Sequence, residues 1–376
     1  RPGSAPPAPG ATTAAGAGGA ASPLRLGLAL VAVVGGPIGY SLVRWNGLEL
    51  RPAAHVGVVQ PNVPEHIKLG DRDVAADSAR RATETLVRPW IEGGEELDLV
   101  VLPETALPVF IDPLPSRGYG GRPDFERWAV ELARATDARV LFGAIGSDDR
   151  SDGSYEYFNS AFLVSPEGGR IARYDKRFLV PVVERVPFVN PRWFADFRYF
   201  GGFGVGEIAP PLPANGASFG VLICYESIFT QLTRHYRLHG ADFMVNITND
   251  AWFGREVWWS RSSALWQHPA HLVMRAIEAR IGVARSANTG ISELVDPLGR
   301  VSRATELFEA AAFTGDVLTT DGRTLYVRYG DTVGWTAALA AIMGLLAAIL
   351  RARKSEAIVS GPPRKETPGR ERGGSG

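Results

Sequence analysis

The chain has one cysteine, Cys224, which ends the apolar run Gly220-Val221-Leu222-Ile223 and precedes Tyr225 and Glu226. A helix is expected to begin near Ser227. A thiol at a strand end facing a helix N-terminus gains thiolate character from the dipole and the free N–H groups. A buried structural thiol is the other role open to such a residue. Glu104 ends a second apolar run, Leu99-Val100-Val101-Leu102-Pro103-Glu104. A carboxylate there sits at the carboxyl edge of a sheet, where open α/β sheets build their sites, and can act as a general base. Only four of the forty Lys and Arg residues are lysines: Lys68, Lys176, Lys354 and Lys365. In so arginine-rich a chain, Lys176 in Tyr174-Asp175-Lys176-Arg177-Phe178 points to a need for a compact ammonium. Beside a reacting carbonyl, such a group holds an oxyanion.

The elements that must position these residues follow from apolar patterning. Strand-like runs cover residues 55–60, 97–102, 139–145, 218–224, 243–248 and 281–286, and residues 160–165 pair with 170–174 as a hairpin. Helical stretches cover 71–88, 123–136, 227–238 and 264–279. Alternation of this kind predicts an α/β layered domain whose strands are buried on both faces.

Two further segments have a different character. Residues 26–43 and 333–350 are uncharged apolar runs of 18 residues each. At about 1.5 Å per residue, either just spans a hydrocarbon core of about 30 Å. Arg351, Arg353 and Lys354 follow the second run and place the C-terminal tail in the cytoplasm by the positive-inside rule. Residues 1–22 are Ala, Gly, Pro, Ser and Thr with one Arg, a linker composition. Forty basic residues balance forty acidic ones, a formal net charge of +0. That argues against a nucleic-acid partner bound through a broadly basic surface. One cysteine excludes an internal disulfide framework and any multi-cysteine metal site.

The strings VVLPET, YDKRFLVP and LICYES, in that order, resemble the Glu–Lys–Cys signature of the nitrilase (carbon–nitrogen hydrolase) superfamily. That resemblance implies an α/β fold, a nitrilase-like αββα sandwich, over about residues 54–318, here flanked by transmembrane helices. It maps the catalytic residues onto Glu104, Lys176 and Cys224, and the superfamily's second glutamate onto Glu184; Tyr225 and Glu226 join as supporting residues. Further strings are similar to the apolipoprotein N-acyltransferase branch: Val59-Gln60-Pro61-Asn62, residues 246–254 (NITNDAWFG), Trp266-Gln267-His268, residues 274–278 (MRAIE) and 285–292 (RSANTGIS). Three departures stand out: Leu69 where the branch often has Trp, Val183 where Gly is usual, and a longer stretch over residues 255–265. Members of that branch carry several N-terminal membrane helices. This chain shows the last of them and begins with Arg1, as a partial sequence would.

Composition, hydropathy and the resemblance together lead to an expected division into a linker (1–22), a membrane helix (23–45), a catalytic domain (53–320), a second membrane helix (333–351) and a disordered cytoplasmic tail (352–376). It implies an enzyme of the bacterial inner membrane, multi-pass, with its catalytic domain on the periplasmic face. Such an enzyme moves an acyl chain from a phospholipid donor, through a thioester on Cys224, to the α-amine of a diacylglyceryl apolipoprotein acceptor. No metal or organic cofactor is required. Trp252, Phe253, Trp258 and Trp259 lie in a Gly-containing loop and are expected to form an interfacial lid over lipid, and residues 193–203 hold a second aromatic cluster. His268 and His271 lack acidic or thiol partners in sequence and are expected to be structural. The same residues also fit a membrane-anchored amidase that hydrolyses a small C–N substrate, or a nitrilase-like domain without catalysis.

Overall fold

Short apolar strands buried at nearly every position need cover on both faces, and here two sheets cover each other on one face of each. The computed structural model describes residues 22–149, 155–186 and 202–359. The chain falls into two units, Arg1–Glu49 and Leu50–Gly376.

In the first unit a helical segment runs from Pro23 to Gly47, with a π turn over Val31–Gly35. The turn lies just before Pro37, which has no N–H to donate.

The second unit contains thirteen strands among the described residues: β1 (Arg51–Gln60), β2 (Leu99–Val101), β3 (Leu107–Phe110), β4 (Arg139–Asp149), β5 (Tyr155–Val164), β6 (Arg170–Asp175), β7 (Leu212–Pro213), β8 (Ser218–Ile223), β9 (Phe243–Thr248), β10 (Gly282–Ala287), β11 (Glu293–Val295), β12 (Val301–Ala304) and β13 (Ala311–Thr319). One sheet runs β13-β1-β2-β4-β5-β6, with β3 beside β4, and the other runs β12-β11-β10-β9-β8-β7. At the centre of each sheet the strands are parallel: β1 with β2 and β4, and β8 with β9 and β10. Antiparallel strands close the edges. The expected hairpin is β5–β6, with Leu163 opposite Ala172.

Alternation along each strand sorts side chains between layers. Val56, Val58, Leu99, Val101 and Leu141 of the first sheet pack against Phe219, Val221, Ile223, Val245 and Ile247 of the second. The outer face of the first sheet, including Val100, Val140 and Phe142, lies under the helices Arg72–Gly93 and Pro123–Thr136. The outer face of the second sheet, including Leu222 and Met244, lies under Thr230–Leu238 and Ala264–Ala279. The result is four layers in the order αββα. Each fully buried Val, Leu, Ile or Phe contributes about 1.5–3 kcal/mol to it.

The helix Thr332–Val359 follows the domain. Among the described residues, two helices are long and apolar enough to cross a membrane, Pro23–Gly47 and Thr332–Arg353, and their described apolar side chains are exposed. The aromatic residues expected at 193–200 lie outside the described residues, as do the linker to residue 21 and the tail from residue 360.

Candidate active site

Glu104, Lys176 and Cys224 each follow the last residue of a strand by one to three positions, after β2, β6 and β8 respectively. The two sheets therefore bring all three to one rim. They line a single cavity of about 200 Å³ with Lys68, Asn159, Glu184 and Asn249. Glu104 is 6% exposed, Lys176 1% and Cys224 8%.

The chain reaches Glu104 through a tight passage. Thr105 has φ +44°, and a Cβ on Gly143 of β4 would meet the backbone of Glu104 at 2.7 Å. Only glycine at 143 lets that loop lie so close to the strand. The Glu104 carboxylate is held at both oxygens: Oε1 accepts from Asn159 Nδ2 at 2.7 Å and Lys176 Nζ at 3.4 Å, and Oε2 accepts from the Asn249 N–H at 2.9 Å. Lys176 Nζ also donates to Glu184 Oε1 at 2.9 Å, and Asn159 Nδ2 donates to the same oxygen at 2.9 Å. Glu184 is fixed in turn by the Val180 N–H at 2.8 Å. The turn between them carries Val182 at φ +69°, a strained conformation for a β-branched residue. Burial would lower the pKa of Lys176, but the carboxylates of Glu184 and Glu104 outweigh it and raise that pKa. Lys176 is a fixed cation.

Cys224 adopts φ +50° and begins a 3-10 turn, Cys224–Ile228; the α-helix starts only at Thr230. The expected α-helix start near Ser227 is thus displaced to Thr230, and a 3-10 turn stands between it and Cys224. Burial and the neighbouring Glu104 carboxylate raise the thiol pKa, and Lys176 only partly opposes them. A thiol in these surroundings needs a neighbouring base to take its proton before it can act as a nucleophile.

Two buried networks hold this elbow. Glu226 accepts from the Ile223 N–H at 2.8 Å, the Arg177 N–H at 2.7 Å, the Phe178 N–H at 3.1 Å and the Tyr174 hydroxyl at 2.8 Å. It ties the strand end before Cys224 to the residues around Lys176. Burial raises its pKa to about 7, although these donors oppose the shift. In the second network His268 Nε2 lies 3.1 Å from the carbonyl oxygen of Cys224, and its Nδ1 lies 2.8 Å from Asp250 Oδ1. Arg285 donates to Asp250 at 2.6 Å and to Asn246 Oδ1 at 2.6 Å, and Asn246 Nδ2 donates to the Leu222 carbonyl at 3.0 Å. Arg285 holds the Asp250 carboxyl well below the usual range against the effect of burial.

Asn159, Lys68, Asn249, Asp250 and Arg285 were not among the expected site residues. Asp250, Asn249 and Arg285 lay inside the quoted strings, where they carried a resemblance and no role. His268, expected to be structural, does have an acidic partner, supplied by the fold and not by its neighbours in sequence.

The aromatic loop divides. Trp252 and Phe253 line the cavity, as do Leu69 and Val183 at two of the departures from the branch pattern, and so does Phe203. Trp258 and Trp259 lie on a 3-10 turn, Trp258–Ser260, 76% and 72% exposed with ring centroids 6.0 Å apart, and do not line that cavity. Tyr225 packs edge-on against Phe229 with centroids 5.2 Å apart.

A four-layer sandwich with Glu, Lys and Cys gathered at its strand ends defines a class, and the chain belongs to it: the carbon-nitrogen hydrolase family matches residues 30–321. The fold is nitrilase-like. A carbon-nitrogen hydrolase from Helicobacter pylori G27 superposes with a TM-score of 0.52 at 14% identity, over 70% of this chain and 88% of its own. Within the family, the chain is 35% identical to the apolipoprotein N-acyltransferase of Geobacter metallireducens, over 85% of this chain and 58% of that relative. It is 32% identical to the apolipoprotein N-acyltransferase of Ralstonia nicotianae, over 88% and 59%. The chain thus spans less than two thirds of the length of these curated relatives.

Proposed function

We propose that this chain carries the catalytic part of an apolipoprotein N-acyltransferase. The observation that carries the proposal is the shared cavity: a thiol, a carboxylate and an ammonium meet beside apolar walls that include Leu69, Phe203, Trp252 and Phe253. Relatives bearing that name, at 35% and 32% identity, support it.

In the first half-reaction Glu104 accepts the Cys224 proton as Sγ attacks the acyl carbonyl of a phospholipid. Lys176, with backbone N–H groups near Tyr225, stabilises the oxyanion. The C–O ester bond breaks, Glu104 returns the proton to the departing alcohol, and a thioester remains on Cys224. In the second half-reaction the neutral α-amine of a diacylglyceryl apolipoprotein attacks the thioester. The C–S bond breaks, an amide forms, and Glu104 passes a proton from the nitrogen to the thiolate. Glu184 and Glu226 hold Lys176 and the Cys224 elbow in register. Trp252 and Phe253 wall the cavity against water, and Trp258 and Trp259 reach toward the lipid interface as part of the lid.

The two apolar helices cross the bacterial inner membrane in this account. Their described apolar side chains are exposed, which suits a lipid surround. In this account the C-terminus lies in the cytoplasm and the catalytic domain on the periplasmic face, an orientation that the cations Arg351, Arg353 and Lys354 support by the positive-inside rule.

The test supplies a phospholipid labelled in its acyl chain together with a diacylglyceryl peptide bearing a free α-amine. Label in a new amide on the peptide supports the proposal. Hydrolysis of small amides, with no label reaching the peptide, would assign the cavity to an amidase.

A further inference from the structure

The cavity holds two buried ammonium groups in unlike surroundings. Lys176 sits between two carboxylates, Glu184 at 2.9 Å and Glu104 at 3.4 Å. Lys68, at the end of the short helix Glu65–Lys68, is 4% exposed. It donates to two neutral acceptors, the Glu104 carbonyl at 3.4 Å and Thr105 Oγ1 at 3.2 Å. Among the described residues, no carboxylate oxygen lies within 4 Å of its Nζ. Burial lowers its pKa to about 8, with Glu65 and Glu104 acting the other way from a distance. A buried cation with no carboxylate in direct contact is stabilised by an anion that reaches it.

The surrounding wall limits what that anion can belong to. Leu69, Pro108, Phe203, Trp252 and Phe253 are apolar or aromatic and line the same cavity as Lys68 and Cys224. Glu65, Glu104 and Glu184 line it as well, so an anion reaching Lys68 must be carried by a molecule whose hydrocarbon these apolar walls also hold. A glycerophospholipid meets both demands, because its phosphodiester lies a few bonds from an acyl ester and the rest of the molecule near the ester is hydrocarbon.

We propose that Lys68 receives the phosphodiester of the acyl donor, and so selects phospholipids over uncharged esters. This rests on the acyl-transfer function proposed above and adds a residue that touches the donor in the first half-reaction only. Lys68 is specific to the donor's charge; Glu104, Lys176 and Cys224 act on any acyl ester.

The experiment measures single-turnover acylation of Cys224 in the full chain, solubilised in detergent, with two donors of equal chain length. One is phosphatidylethanolamine and the other an uncharged p-nitrophenyl ester. Lys68→Gln removes the charge and keeps N–H groups for the Glu104 carbonyl and Thr105. It should lower the rate with phosphatidylethanolamine by about 10–100-fold, as expected for losing a charge-assisted bond, and the rate with the uncharged ester by less than about 3-fold. Lys68→Met provides the same comparison if the amide perturbs the loop. Equal losses on both donors would overturn the proposal, since Lys68 would then only brace the Glu104 loop, and so would no loss on either. A wild-type chain acylated by the nitrophenyl ester but never by phosphatidylethanolamine would instead defeat the acyltransferase function itself.

Discussion

The buried polar side chains around the cavity are held by groups from distant parts of the chain, and their behaviour follows from them. Asp250 is fully buried between Arg285, His268 and the Thr248 hydroxyl. Asp250→Asn would leave the Arg285 guanidinium buried without its carboxylate, a loss of about 3–5 kcal/mol and on the order of 10 °C in melting temperature. Thermal unfolding in detergent measures it, and an unchanged melting temperature would remove the network from the account. Glu226 makes a pH-dependent contribution. Its folded pKa of about 7 lies above the ordinary 4.5, so the folded chain binds the extra proton between those values. Its contribution to stability is therefore full below pH 4.5 and declines as pH rises to about 7. The melting temperature of the wild type relative to Glu226→Gln, which cannot ionise, should fall across that window and level off above it. A difference independent of pH would mean that Glu226 titrates as in the unfolded chain.

At the scale of elements, β2 and β8 were legible as apolar runs, expected over residues 97–102 and 218–224 and found at Leu99–Val101 and Ser218–Ile223, and β6 as the second strand of the hairpin. The helices Pro123–Thr136 and Ala264–Ala279 were legible at both ends. The turn after Cys224 was not, because its form depends on Glu226 reaching back to the Ile223 N–H, a tertiary arrangement that periodicity does not carry. Asn159 was equally hidden. It lies within β5, and its partners Glu104 and Glu184 are 55 and 25 residues away in sequence. The aromatic loop yields a prediction at this scale. Trp258 and Trp259 are exposed and lie outside the lining of the cavity, so their replacement leaves the cysteine's surroundings intact. Trp258→Ala with Trp259→Ala should slow acylation by long-chain phospholipid by about 10²-fold, at about 1–3 kcal/mol per ring that enters lipid. Acylation by a short soluble ester should be almost unchanged. Equal loss on both substrates with a lower melting temperature would show that the rings support the fold instead.

At the scale of the whole molecule, the proposed function requires a lipid-facing domain tethered on the outer face of the inner membrane. A tag placed after Gly376 should resist external protease on intact spheroplasts and become sensitive after lysis; removal without lysis would invert the proposed orientation. The central claim concerns one bond. Wild-type chain incubated with acyl-labelled phospholipid and no amine acceptor should gain the mass of a single acyl group on the peptide containing Cys224, and hydroxylamine should release it. Cys224→Ser should stay unlabelled, and Glu104→Gln should acquire the group far more slowly. An acyl group mapped to any other residue, or labelling that persists in Cys224→Ser, would contradict the account.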